Sequence, residues 1–301
     1  MSDVKVSIIV CTYNRSDILK YCLDSLEKQS VDRSSYEVIV VDNNSTDNTK
    51  EVVEEYCGRN ANFRYVFEGD QGLSHARNRG AKEAKSDWIG YVDDDGKVRE
   101  NYIEQALYTI ENFDFDCFGG KVVNWFKYGK PRWYPEIFYP EMERYNKVCE
   151  YDGFICGGIS FFKKMIINNI GFPDELGMKG NLIGIGEETW IQIKIRDSGG
   201  KIGLNPDIVL EHLVIEKKMK VLYHLKRKFH EGRNEKSIFG ENEYKVSTSK
   251  LYMVKVVFQN IFNNLKKLKK HNYYIENYLL DVFLDLFYII GKRYKQTHKE
   301  N

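Results

Sequence analysis

Three consecutive carboxylates, Asp93, Asp94 and Asp95, close the apolar run that ends at Val92 and stand before a turn glycine, Gly96. Hard oxygen donors at the end of a buried strand suit Mg²⁺ or Mn²⁺ bridged to phosphate oxygens, although a bare acidic triplet also occurs as a solvated turn. In GLSHARNRG, Arg77 and Arg79 lie on a helix that starts after Gly72. A guanidinium there can neutralise a diphosphate through paired hydrogen bonds, and Arg77 is the better candidate of the two; alone, the pair reads equally as a surface helix. The segment GIGEETW puts Glu187 and Glu188 at a helix start, where free amides and the helix dipole favour a carboxylate. That placement serves a cap, and it also keeps a carboxylate ionised, as a general base requires. The two side chains leave the helix about 100° apart, so one of them faces the cleft. His212 is either a structural histidine or the completion of a metal shell begun by Asp95.

These residues need elements that bring them to one edge. Val4–Cys11, Tyr36–Val41, Phe63–Phe67 and Asp87–Val92 read as buried strands, and Asp17–Gln29, Thr46–Tyr56 and Leu73–Ala84 as the helices between them. Such alternation predicts a parallel sheet wrapped by helices, with its ligand site beyond the carboxyl ends of the strands. Polar residues concentrate there: Thr12, Tyr13, Asn14 and Arg15 after the first strand, Asp42, Asn43, Asn44 and Ser45 after the second, and then the triplet. Beyond Gly96 the pattern is mixed. A helix is expected over Glu100–Asn112, with strand-like pieces at Phe118–Val123 and Gly158–Phe162. Between them lies an aromatic loop holding Trp125, Trp133, Tyr134, Phe138 and Tyr139. A helix over Glu187–Arg196 and a short strand ending at His212 follow.

The chain has 301 residues, 42% of them hydrophobic, and a formal charge of +1 that conceals a division. The first 215 residues hold 26 basic against 35 acidic residues; from Glu216 onward the count is 19 against 9. Six scattered cysteines without a CxxC pair suggest neither disulfides nor a zinc site. No run reaches the roughly eighteen apolar residues of a membrane span, and MSDVKVSIIV lacks a basic stretch with a cleavage site, so folding in the cytoplasm is expected.

Taken in order, VSIIVCTYNR, VVDNNSTD, GLSHARNRG, YVDDDGKV, CGGISFFKK and GEETW followed by PDIVLEH resemble the family 2 glycosyltransferases over roughly residues 4 to 215. The resemblance implies the GT-A fold: a Rossmann-like, mostly parallel α/β sheet flanked by helices, here with a C-terminal helical extension. It implies a GT-A domain over 1–215, with a nucleotide-binding half to about 97 and an acceptor half from about 98, and a basic extension over 216–301. By the same resemblance Thr12, Tyr13 and Asp42 would hold base and ribose, and Arg77 would sit close to the nucleotide. Asp93 and Asp94 of the DXD element would join that donor site, with Asp95 the direct ligand of Mn²⁺ or Mg²⁺. The family's base sits at the second position of an ED pair, here Glu188, though the sequence has EE and leaves Glu187 open. The implied enzyme is of the hexosyltransferase type and inverts the anomeric centre. It would use a nucleotide-sugar donor, UDP being the commonest nucleotide and GDP or dTDP making similar contacts. The acceptor would be a glycan or lipid-linked hydroxyl in polysaccharide or glycolipid synthesis. No multi-span region or QxxRW-type signature of processive synthases is present.

Two other readings compete. A sugar nucleotidyltransferase needs a glycine-rich basic loop after strand one, where CTYNRSD has no glycine. A non-catalytic carbohydrate-binding subunit on a degenerate fold would have lost the acidic residues, which are present. The tail segment LKKLKKHNYYIENYLLDVFLDLFYIIGKRYK joins a lysine cluster to an apolar stretch, Leu279–Ile290, too short to span a bilayer. It would either lie on the anionic inner face of the plasma membrane, as a peripheral contact, or pack as a cap or dimer contact. The acidic body argues against a nucleic-acid partner.

Overall fold

The computed structural model describes residues 4–134, 140–179, 184–240 and 246–297; Phe138 and Tyr139 of the aromatic loop lie outside them. The contacts divide the chain into two compact units. One comprises Met1–Trp125, Ile137–Leu182 and Glu187–Leu213, and the other Phe126–Glu136, Ile183–Gly186 and Val214–Asn301.

The first unit begins with the expected alternation. Strand β1 (Val6–Thr12), helix α1 (Ser16–Glu27), β2 (Tyr36–Asp42), α2 (Thr49–Arg59), β3 (Phe63–Phe67), α3 (Leu73–Glu83) and β4 (Trp88–Asp93) follow one another. Runs rich in β-branched residues, buried on both faces, make β1 and β2. Side chains alternate between two cores: Ile8, Val10, Val38 and Val40 meet α1 and α2, whereas Ile9, Ile39 and Val41 meet α3. Helix α3 lies so close to β1 that a Cβ on Gly80 would come 2.4 Å from Ile9 Cγ2.

The sheet order is β3-β2-β1-β4, followed by β8 (Ile159–Lys163), β6 (Cys117–Trp125), β9 (Ile202–Leu213) and β5 (Gly96–Val98), with β7 (Cys149–Glu150) pairing β9. Pairing is parallel from β3 to β4, antiparallel at β8 and mixed beyond, so the parallel character belongs to the first half. Helices α4 (Tyr102–Asn112), α5 (Lys164–Ile170) and α6 (Glu187–Asp197) complete the layers. Two features differ from the sequence expectation. Gly96 opens a strand as well as ending a turn, and β9 is twelve residues long instead of a short piece before His212. Pro206, which cannot donate to a ladder, lies where β9 bulges between the pairs Gly119↔Leu204 and Lys121↔Val209.

In the second unit, helices α7 (Val221–Phe239), α8 (Lys250–Leu265) and α9 (Ile275–Thr297) confirm the expected helical tail. Helices α7 and α9 touch backbone to backbone: a Cβ on Gly232 would come 2.0 Å from Tyr288 O, and one on Gly291 1.9 Å from Phe229 O. A buried Lys292–Glu235 pair at 2.7 Å crosses the same seam. Trp133 and Tyr134 pack against His224 of α7, with ring centroids 5.7 and 5.5 Å away.

Candidate active site

Strand register explains why the polar residues meet. Thr12 pairs with Asp42 across β1 and β2, and Cys11 pairs with Asp93 across β1 and β4, so the carboxyl ends of all three strands share one edge. Strand order reverses here, β1 being flanked by β2 on one side and β4 on the other, and this leaves a crevice. The loops that follow are braced together: the Asn14 amide donates to Ser45 Oγ at 2.9 Å, and the Thr46 amide to Asn14 Oδ1 at 2.7 Å. Asn14 and Asn44 adopt φ of 51° and 64°, which asparagine tolerates better than most residues.

Beside this edge a cleft of about 410 Å³ is lined by Asp42, Ser45, Thr46, Lys50, Tyr65 and Phe67, among others. Asp42 is held at its wall, Oδ1 accepting from the Ser45 amide and Oδ2 from the Tyr65 hydroxyl, both at 2.9 Å. Tyr13 is half-buried on the loop after β1.

The triplet splits into distinct environments. Asp93, Asp95 and His212 each offer a ligand atom, all within 4.8 Å of one another. His212 reaches the triplet because β5 pairs antiparallel with β9, setting Gly96 opposite His212, while the Leu213 amide donates to Asp95 O at 2.8 Å. His212 Nε2 stands 3.3 Å from Asp95 Oδ1. Two carboxylates and an imidazole fit Mn²⁺ well and Mg²⁺ acceptably. Ligands across an octahedral ion stand about 4.2 Å apart, so small side-chain rotations would close the set. Asp94 instead faces inward, accepting from Thr12 Oγ1 at 2.9 Å and from Arg15 Nη1 at 2.7 Å. Burial pushes its carboxyl up, against the pull of Arg15.

Arg15 is a candidate site residue to which sequence reasoning gave no role. Its guanidinium also lies 3.4 Å from Asp95 Oδ2, making it the half-exposed cation that faces the triplet. Its position in the polar cluster after β1 was the available signal. Arg77, expected to face a diphosphate, is 4% exposed and turned toward protein carboxylates. Its Nη1 pairs with Glu187 Oε1 at 2.5 Å and its Nη2 lies 3.8 Å from Asp93 Oδ1, beside the rings of Tyr91 and Phe172. Burial alone would lower its pKa, but Glu187, Asp93 and Glu188 together raise it. Arg79 pairs with Glu83 on its own helix at 3.0 Å and takes no part.

The glutamates are therefore not equivalent. Glu187 is buried against Arg77, and its Oε2 has no hydrogen-bond partner. Glu188 is partly exposed, and burial, then the Glu187 charge, push its carboxyl up to about 8. The expectation that a helix start would keep this carboxylate ionised is thus reversed: at the N-terminus of α6, desolvation and a like charge outweigh the dipole.

Comparison with known proteins bears on the family and the fold. Over residues 7–171 the chain matches the family model described as glycosyl transferase family 2. Its sequence is 32% identical over 118 residues to glycosyltransferase AglE of Haloferax volcanii, covering 39% of each chain. It is 26% identical over 245 residues to the glucosyl-dolichyl phosphate glucuronosyltransferase of the same organism, covering 76% of this chain and 75% of that one. Among the curated relatives matched at 32–36% identity, the matched stretch spans 31–39% of their length. Among solved structures, the mannosyltransferase PcManGT from Pyrobaculum calidifontis, in complex with GDP-Man and Mn²⁺, superposes with a TM-score of 0.69. The two chains are 16% identical, over 99% of this chain and 88% of that one. Staphylococcus aureus TarS 1-349 in complex with UDP-GlcNAc gives a TM-score of 0.58 at 17% identity, over 98% and 91%. These likenesses bear on the fold, which is GT-A, while the family match spans more than half of the chain. The chain belongs to glycosyl transferase family 2.

Proposed function

We propose that the protein transfers a hexose from a nucleoside diphosphate sugar to a hydroxyl of a glycan or lipid-linked acceptor in cell-surface polysaccharide or glycolipid synthesis. Transfer inverts the anomeric centre and depends on Mn²⁺ or Mg²⁺. The observation that carries this reading is the convergence of Asp93, Asp95 and His212 at the point where strand order reverses, beside a cleft that holds Asp42. UDP is the favoured nucleotide, supported by its prevalence in the family and by TarS, whose complex holds UDP-GlcNAc. GDP is the runner-up on the strength of PcManGT.

Asp93, Asp95 and His212 would hold the ion, which when bound supplies charge neutralisation for the departing diphosphate. In this assignment Asp42, Tyr13 and Thr12 shape the base and ribose end, and Asp94 acts through Thr12 and Arg15 to fix the triplet. Glu188 takes the proton from the acceptor hydroxyl. Its raised carboxyl pKa, about 8, makes it a stronger base once ionised, at the cost of a smaller ionised fraction near neutrality. Glu187 and Arg77 position it: the buried pair fixes the start of α6, and the Glu187 charge lifts Glu188 against the opposing pull of Arg77. Release of nucleoside diphosphate from UDP-, GDP- and dTDP-hexoses tests the reading. Release from one donor class in the presence of Mn²⁺ is expected, falling roughly 10²–10⁴-fold in Glu188→Gln with nucleotide affinity retained. Full turnover in that variant would move the base elsewhere.

A further inference from the structure

Helix α8 carries apolar side chains on both faces, with Val256 buried on the inward one. Its inward face is partly polar: Asn260 Nδ2 donates to Asp285 Oδ2 of α9 at 3.0 Å, and buried Asn264 donates to Asn260 O at 2.8 Å. Its outward face carries Leu251, Val254, Phe258, Phe262 and Leu265, each between 52% and 81% exposed. The spacing of three, four, four and three residues makes one continuous stripe along the helix, about 21 Å long at 1.5 Å per residue. Isolated exposed apolar residues are ordinary on a protein surface, but an aligned set of five large ones is not.

The charge around the stripe identifies what it fits. From Val246 to Ile275 the sequence has six lysines, Lys250, Lys255, Lys266, Lys267, Lys269 and Lys270, and no acidic residue. Lys266, Lys269 and Lys270 are exposed at the end of the helix. A second copy docked face to face would bring together two segments whose own charges are all positive; among the described residues Lys267 alone of the six is paired, to Asp281 of α9. An anionic lipid surface complements both the stripe and its border. No described helix is long and apolar enough to cross a membrane, and α8 has sixteen residues. The Leu279–Ile290 stretch singled out in the sequence belongs to α9, where Val282 and Ile289 are buried and Leu279 and Ile290 are its exposed large hydrophobics.

We propose that the outward face of α8 is an interfacial anchor: Phe258, Phe262 and their apolar neighbours enter the headgroup boundary of an anionic membrane while the flanking lysines bind its charge. The inference deepens the lipid-linked acceptor reading above and rests on it for its purpose, though its evidence comes from the C-terminal unit alone. The test is flotation of the full chain with vesicles of phosphatidylcholine alone and of phosphatidylcholine with phosphatidylglycerol, with nucleotide binding measured on the same preparations. The chain is expected to float with the anionic vesicles only. Phe258→Asp with Phe262→Asp should lower the bound fraction roughly tenfold or more, and Lys266→Glu with Lys269→Glu and Lys270→Glu should do so by several-fold. Both variants should keep the parent's thermal midpoint and nucleotide binding. Absence of flotation, or flotation that neither set of substitutions weakens, overturns the anchor. So does a concentration-dependent dimer that Phe262→Asp dissociates without any vesicle binding, which would assign the face to a second copy. Vesicle binding with no nucleotide binding leaves the anchor standing and defeats the transferase reading instead.

Discussion

At the scale of single residues, the site is organised by how its carboxylates are compensated. Removing the Arg77 charge strands Glu187, already short of one hydrogen bond, in a buried position. Arg77→Met should therefore cost about 3–5 kcal/mol in denaturant unfolding, and Glu187→Gln should restore part of that loss when added to it. Additive losses in the double variant would mean that the pair is not coupled. Glu188 makes a prediction of the opposite kind. Its folded-state carboxyl is raised from 4.5 to about 8, so the folded protein holds a proton there that the unfolded chain has lost between those values. The stabilising preference is complete below about 4.5 and is lost as pH rises through about 8. The thermal midpoint of the parent should fall relative to Glu188→Gln across that window; parallel profiles would show an unperturbed carboxyl. Sequence patterns brought these residues to notice by type. Which carboxylate each cation chooses depends on approaches such as Arg77 to Glu187, 110 positions apart, and Arg15 to Asp94, 79 apart, and neither distance is written in local spacing.

At the scale of elements, legibility followed continuity. Strands β1, β2 and β4 are predominantly apolar runs and read as such, and the polar clusters at their ends marked the ligand edge. Strands β5 and β7 are three and two residues long, GKV and CE, with no periodicity to detect. Strand β9 is divided by Pro206, which local reasoning takes as a boundary. Strand β5 nonetheless matters to the site, because it carries Gly96 opposite His212. The entry to β8 matters similarly. The Asp93 amide donates to Gly158 O at 3.3 Å, and a Cβ on Gly158 would come 2.1 Å from Asp93 Oδ2. Gly158→Ala should displace the Asp93 carboxylate and weaken Mn²⁺ binding by roughly 10–100-fold, the range for disturbed ligand support, with circular dichroism unchanged. Parent-like Mn²⁺ affinity would exclude Asp93 from the metal set.

At the scale of the whole molecule, the division of charge parallels a division of labour. The acidic first 215 residues contain the proposed catalytic site, and the basic remainder contains the exposed stripe of α8. The C-terminal helices were legible as helices, but the surface they expose was not. Of the conspicuous apolar stretch in α9, Val282 and Ile289 are buried and Leu279 and Ile290 exposed, whereas the modest stripe on α8 faces outward along its whole length, because the α7–α9 glycine seam claims α9 as its core partner. The central claim is that a divalent ion held by Asp93, Asp95 and His212 brings a nucleoside diphosphate to this edge. Calorimetric titration of the full chain with UDP, GDP and dTDP, each with and without Mn²⁺, tests it most directly. The account predicts tight binding of one nucleotide, UDP first, only when Mn²⁺ is present, and its loss in Asp95→Ala. Binding that ignores both the ion and Asp95, or no binding of any nucleotide, would contradict it.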